Sequence, residues 1–202
     1  MGANLKTVFV VDVEATCWSD DIDIYPGETE RQGEQPNEII EIGVAAMELK
    51  TGSVFKRASI VVRPRFTKIS KFCTDLTGWT QEAIDEQGLD IKTALEYFQE
   101  QFHPTKNHMW FSWGEYDRYK LSSNTGASGL MGLYGIKPED NPFDRFRGHI
   151  NAKTLMALKE RHSRESGMAA ALRFYNLSLD GRHHNGADDA ANIAKLVHRI
   201  LS

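Results

Sequence analysis

The sequence predicts an α/β fold in one domain spanning residues 1–202: a mixed sheet, part antiparallel meander and part parallel strands, flanked by helices. Three observations carry this expectation. Apolar runs at Val8–Val11, Glu38–Leu49 and Ser53–Val62 come first, with polar or glycine-bearing segments between them. From Thr80 onward the apolar spacing changes to three and four, and short apolar runs then alternate with helical ones. With 202 residues, 41% of them hydrophobic, the chain can build one sizeable core, and two would strain it.

The elements follow in order. Val8–Val11 reads as a buried strand running on towards Glu14. Trp18–Asn37, with Pro26, Gly27, Gly33 and Pro36 among many acids, is too long for a tight turn and reads as a loop bordering the strand end. The next two runs form an antiparallel pair through a turn at Lys50-Thr51-Gly52, and Pro64 ends the second. Ala83, Ile84, Ala94, Leu95, Phe98 and Phe102 predict an amphipathic helix from Thr80. Met109–Trp113 predicts a further strand, and Asp117–Leu121, Asn151–Arg161 and Gly167–Tyr175 predict helices. Gly126–Phe146, rich in Gly, Pro and Asp, reads as irregular, and a last helix runs to the C-terminus.

A net charge of −4 argues against a general basic surface that coats nucleic acid, but not against a local groove. Carboxylates that hold cations are themselves compatible with a polyanionic substrate. No stretch approaches the roughly 20 apolar residues of a membrane span, and Met1–Thr7 lacks a basic flank and apolar signal core, so a cytoplasmic location is expected. Cys17 and Cys73 lack CxxC spacing and read as reduced, small buried hydrophobes.

Asp12 and Glu14, two apart at the end of an apolar strand, project from one side of it. Such a pair suits a hard divalent cation, although taken alone it also fits a solvated strand end. The second constellation is His183-His184-Asn185-Gly186-Ala187-Asp188-Asp189. Asp189 shares a stripe with Ile193, Leu196, Val197 and Ile200 and faces inward, whereas Asp188 shares one with Asn192, Lys195 and Arg199 and faces water. An inward carboxylate needs a partner, and the acids at Asp12 and Glu14 supply one if metal lies between them. His184 then stands on the approaching loop, suited by an ordinary pKa of about 6.5 to take a proton near neutral pH, or else serves only as a surface or capping residue. Asp117 lies four residues before Leu121 on the inward face of its helix and is preferred to Glu115; capping that helix is its rival role.

Four acids and a histidine in this order resemble the DEDDh exonucleases, which have an RNase H-like fold. Val11-Asp12-Val13-Glu14-Ala15-Thr16-Cys17 is similar to the first motif of their ERI-1-like branch. Asn37-Glu38-Ile39-Ile40-Glu41-Ile42-Gly43, Phe72-Cys73, Leu76-Thr77-Gly78, Thr80-Gln81 and His184 through Ala194 extend the likeness over about residues 7 to 200. The KapD-like proteins are a similar group, and Ser123–Arg161 matches poorly. The resemblance implies 3′-to-5′ exonuclease activity that releases 5′-mononucleotides with two divalent cations, Mg²⁺ or Mn²⁺. It implies that Asp12 bridges both metals, Glu14 and Asp189 help hold the one that binds the attacking water, Asp117 positions the other, and His184 is the general base. The implied partner is a single-stranded nucleic-acid 3′ end, RNA favoured over DNA, with Ala15, Thr16, Leu76 and Thr77 gripping the terminal nucleotide. Trp113 and Trp79 are candidates for base stacking, and buried core positions are their commoner use. A DNA exonuclease of repair or proofreading type, or a catalytically silent nucleic-acid-binding protein, fits the same residues. With Asp189 inward and Asp188 facing water, Asp189→Asn is expected to abolish turnover and Asp188→Asn mainly to affect stability.

Overall fold

Strand β1, Thr7–Ala15, is the axis of a five-stranded sheet ordered β3-β2-β1-β4-β5, with β2 Ile39–Glu48, β3 Val54–Val61, β4 Met109–Ser112 and β5 Gly148–Asn151. The structure, a computed structural model, describes residues 5–21, 23–123 and 126–202. Met1–Asn4, part of the segment read as lacking a signal core, lie outside the described residues, as do Ile22 in the Trp18–Asn37 loop and Asn124 and Thr125 in the poorly matching stretch. β1 pairs antiparallel with β2 and β2 with β3, the expected meander, while β4 runs parallel to both β1 and β5. Gly52, at a φ of 72°, closes the β2–β3 turn and donates its N–H to Glu48 O at 2.9 Å.

The helices are α1 Lys71–Thr77, α2 Gln81–Gln87, α3 Ile91–Phe102, α4 Tyr116–Leu121, α5 Leu130–Tyr134, α6 Ala152–Lys159, α7 Met168–Phe174 and α8 Gly186–Leu201. The single helix expected from Thr80 is two helices. Gly88 ends α2, Leu89 exchanges backbone hydrogen bonds with Val61 and Arg63 beside β3, and the Asp90 carboxylate caps α3 by accepting from Lys92 and Thr93 N–H. Sequence periodicity did not reveal α1 or β5. Each is too short for a period to register, and β5 is half-buried along its whole length. Gly126–Phe146 is a succession of short helical turns around α5.

Alternation along β1 divides the core between the two sheet faces. Phe9, Val11 and Val13 pack with Ala94, Leu95 and Phe98 of α3 and with Phe143 and Phe146. Val8 and Val10 face the other way, against Met156 of α6, Leu172 of α7 and Ile193, Leu196, Val197 and Ile200 of α8. Asp12 and Glu14 continue the Val8–Val10 row, so the fold itself delivers them to the α8 side. β4 pairs with β1 only from Val8 to Val10, and the rest of β1 runs beyond it.

The start of α8 lies directly on β2. A Cβ built on Gly43 would stand 1.9 Å from the carbonyl carbon of Gly186. Backbone therefore meets backbone, and Gly43→Ala must push the helix start off the sheet. A loss of about 3 kcal/mol or more in chemical denaturation is expected, and an unchanged denaturation midpoint would contradict this packing.

Candidate active site

Three segments converge where β1 outruns β4. Oxygen atoms of Asp12, Glu14 and Asp189 all lie within 4.8 Å of one another, and so do ligand atoms of His183, His184 and Asp189. Asp117, in the first turn of α4, reaches β1 beside the cluster, where its charge acts on Asp12. Its Oδ1 accepts the Val13 N–H at 2.9 Å, the β1 donor that β4 is too short to occupy. Gly114, at a φ of 125°, makes the sharp β4–α4 turn that aims Asp117 back at β1.

Asp189 is 3% exposed, facing inward as its stripe requires. Its Oδ2 accepts the His184 N–H at 2.8 Å and lies 2.8 Å from His183 Nδ1. His184 occupies the left-handed region at φ 63°, a conformation costing an ordinary side chain about 1 kcal/mol or more, and its N–H bond to Asp189 helps to hold it. The two imidazoles stack with centroids 4.0 Å apart. The loop carrying them is pinned to α8. Asn192 Oδ1 accepts Asp180 N–H at 3.0 Å, and its Nδ2 donates to Asp180 O at 2.8 Å and Asp188 O at 3.0 Å. Asp188 accepts Arg182 N–H at 2.9 Å and pairs with Arg57 at 2.9 Å.

These contacts correct the polar stripe read from the sequence. Asn192 is fully buried and Asp188 is largely covered, because residues 180–184 fold over that face of α8. The helix cap is Asn185, whose Oδ1 accepts from Asp188 N–H, so Asp188 is a first-turn acid.

The electrostatics ask for positive charge. Burial raises the Asp12 carboxyl well above its ordinary range, with Asp117, Glu14, Asp189 and Glu41 adding to the rise. Glu14 is pushed up to about 8, by burial and then by Glu41 and Asp189. Asp117 is pushed up to about 6 by burial, against the lowering effect of the Val13 N–H, its own N–H and the Ser112 hydroxyl. Burial and then the neighbouring His183 hold His184 below its ordinary value of 6.5. Among the described residues Asp189 Oδ1 is buried without a hydrogen-bond partner. An orphaned carboxylate oxygen, a cluster of hard oxygen donors and mutual repulsion together fit a divalent cation, and Asp12, Glu14 and Asp189 are the grouped donors that could hold one, with Asp117 close enough to raise the Asp12 carboxyl.

The residues expected to grip substrate are placed differently. The Thr16 hydroxyl is buried and accepts Glu38 N–H at 2.9 Å; the Thr77 hydroxyl is buried and donates to Cys73 O at 2.8 Å. Ala15 O accepts the Cys73 thiol at 3.7 Å, and Leu76 is half-exposed at the end of α1. Trp113 packs on the α8 side of the sheet with its indole N–H on Ser166 O at 3.0 Å. The Trp79 indole N–H instead points to Glu41, at 2.8 Å. Sequence reasoning passed over two residues here. Tyr116, 47% exposed beside Asp117, had only its position next to a chosen acid as a signal. Glu41 had its place in a quoted motif.

No protein-family model matches the chain. The "ERI1 exoribonuclease 2" of Xenopus laevis is 26% identical over 96% of this chain and 28% of that protein, and the "3'-5' exonuclease Snipper" of Drosophila melanogaster is 25% identical over 96% of this chain and 69% of its own length. The chain thus spans less than a third of the ERI1 exoribonuclease 2 relatives from Xenopus laevis and Mus musculus, 28% and 30% of their lengths. The nuclease domain of 3'hExo, described as a DEDDh family member bound to rAMP, superposes with a TM-score of 0.77 at 24% identity, covering 100% of this chain and 94% of that one. The chain shares the fold of that nuclease domain, and over nearly its whole length it is similar to 3′-to-5′ exonucleases of the ERI1-like group of the DEDDh family.

Proposed function

We propose that this chain is a metal-dependent 3′-to-5′ exonuclease that shortens single-stranded RNA, with DNA as the poorer substrate, and releases 5′-mononucleotides. The observation that carries the proposal is the convergence of Asp12, Glu14 and Asp189 oxygens within 4.8 Å, with Asp117 bonded to the same strand and His184 bonded to Asp189. Bound at Asp12, Glu14, Asp117 and Asp189, two Mg²⁺ or Mn²⁺ ions would supply Lewis-acid stabilisation of the attacking and leaving oxygens of an in-line displacement. His184, kept neutral near pH 7 by burial and by His183, takes the proton of the attacking water on a ring nitrogen. Its backbone N–H on Asp189 keeps the base and a metal-holding carboxylate in fixed relation.

The terminal nucleotide is gripped by Leu76 and by the chain at Ala15–Thr16, while the Thr16 and Thr77 hydroxyls hold those segments in shape. Tyr116, 47% exposed beside Asp117 and with the Lys120 ammonium 5.5 Å from its ring centroid, offers its other ring face to a base. The preference for RNA is supported by relatives named as exoribonucleases. No helix among the described residues is long and apolar enough to cross a membrane.

The test is degradation of 5′-labelled single-stranded RNA and DNA of matching sequence with Mg²⁺, Mn²⁺ or EDTA. A metal-dependent ladder receding from the 3′ end, faster on RNA and slowed about 10²-fold or more by His184→Ala, is expected. Faster loss of DNA would reverse the substrate assignment. No cleavage of either strand by folded protein would replace the enzyme with a silent nucleic-acid-binding protein.

A further inference from the structure

Glu41 is a further buried acid beside the site, and the chemistry described above makes no use of it. It lies on β2 directly across from Glu14 in the β1–β2 register and is 0% exposed. It does not join the Asp12–Glu14–Asp189 group. Its Oε1 accepts the Ser59 hydroxyl at 2.6 Å and Ala187 N–H at 3.3 Å; its Oε2 accepts the Trp79 indole N–H at 2.8 Å and Gly186 N–H at 3.1 Å. The donors come from β3, from the α1–α2 connection and from the first turn of α8.

A carboxylate taken wholly out of water is costly unless its lone pairs are filled by good donors. Here they are filled, and two of the donors are the open N–H groups of a sixteen-residue helix, where an anion is also favoured by the helix dipole. The elements it joins are those that matter to turnover. Trp79 follows Leu76-Thr77-Gly78, the segment that grips the nucleotide. Gly186 and Ala187 stand between His184 and Asp189. With Gly43 and Gly186 in backbone contact, the start of α8 has one seat, and Glu41 is its anchor.

We infer that Glu41 is a positioning residue that couples the nucleotide-gripping segment, through Trp79, to the alignment of Asp189 and His184. This rests on the proposed exonuclease function, and it makes Trp79 a link in the site's framework rather than a stacking platform. Removing a hydrogen bond to a buried charged group loosens whatever that bond locates, so the effect should appear in turnover and in metal binding together.

The test is a double-mutant cycle on the full chain with Glu41→Gln, Trp79→Phe and both, read by kcat and KM on single-stranded RNA and by Mn²⁺ titration calorimetry. Circular dichroism and melting establish the folded fraction of each variant. Glu41→Gln is expected to lower kcat per folded molecule by about tenfold or more and to weaken Mn²⁺ binding. Because Glu41→Gln also removes a charge, the charge-neutral Trp79→Phe isolates position. It is expected to lower kcat and Mn²⁺ affinity several-fold, and the double variant to be no worse than Glu41→Gln alone. Additive losses, or full kcat and unchanged Mn²⁺ affinity in folded Trp79→Phe, would overturn the coupling. Should the wild type cleave neither RNA nor DNA, the exonuclease reading fails by itself, and the Mn²⁺ cycle still decides whether Glu41 aligns the acidic cluster.

Discussion

Glu14→Gln is expected to make the metal-free protein melt higher near pH 8 while lowering turnover by about 10³-fold or more. The two effects have one cause. In the folded chain the Glu14 carboxyl is pushed from 4.5 to about 8 by burial and by the Glu41 and Asp189 charges, so the fold disfavours its ionised form. Below pH 4.5 the group is protonated in folded and unfolded chains alike and contributes no penalty. As pH rises from there towards 8, the unfolded chain releases this proton and the folded chain retains it. Stability therefore falls through that window and levels off above it. Full ionisation then costs on the order of a few kcal/mol, which corresponds to roughly 5 to 10 °C in Tm for a chain of this size. Glutamine carries no such penalty, but it is a weaker cation ligand than a carboxylate.

Melting in EDTA between pH 5 and 8.5 checks this directly. The wild type should lose Tm steadily across the range and the variant less. Adding Mn²⁺ should stabilise the wild type most at the high end, where the acids are ionised and ready to bind. A variant that melts no higher than wild type at pH 8 without metal would mean that the acids are not under strain, and the case for a cation drawn from their electrostatics would fall.

Asp189→Asn is expected to abolish turnover, again by about 10³-fold or more, and Asp188→Asn to reduce it about tenfold. The first follows from position: Asp189 contributes an oxygen to the acidic cluster and accepts the His184 N–H. The second revises the expectation from sequence, in which Asp188 faced water and served stability. In the structure its carboxylate accepts Arg182 N–H, pairs with Arg57 and lies against Gly181, where a Cβ would come within 2.2 Å of Oδ2. Losing that charge frees the segment that carries His184 without removing a metal ligand. Asp188→Asn should therefore lower kcat while Mn²⁺ affinity stays near the wild-type value, whereas Asp189→Asn should lose both. Equal loss of turnover per folded molecule in the two variants would undo the assignment of Asp189 rather than Asp188 to the site.

The strands, the inward register of Asp189 and the same-side pairing of Asp12 with Glu14 were legible from the sequence, because each depends on a local period. Two residues per strand repeat put Asp12 and Glu14 with Val8 and Val10. The helical repeat put Asp189 with Ile193, Leu196, Val197 and Ile200, all buried in α8. The same period misplaced Asn192. A period records which residue types alternate but not which loop will return to cover a polar face, and the segment from Asp180 to His184 covers this one. Short elements such as α1 and β5 escaped for a related reason: too few residues take part for a repeat to stand out.

The acids and histidines are there in the primary structure, and the side of each strand or helix on which they stand follows from backbone geometry between near neighbours. How they meet depends on contacts made far along the chain. Val13 and Asp117 are 104 residues apart and touch because β4 lies parallel to β1 and stops short of its end. Glu41 and Gly186, 145 residues apart, meet because two glycines let a helix start rest on a strand. Contacts at such separations are set by strand order and by close approach of backbones, which no local pattern encodes.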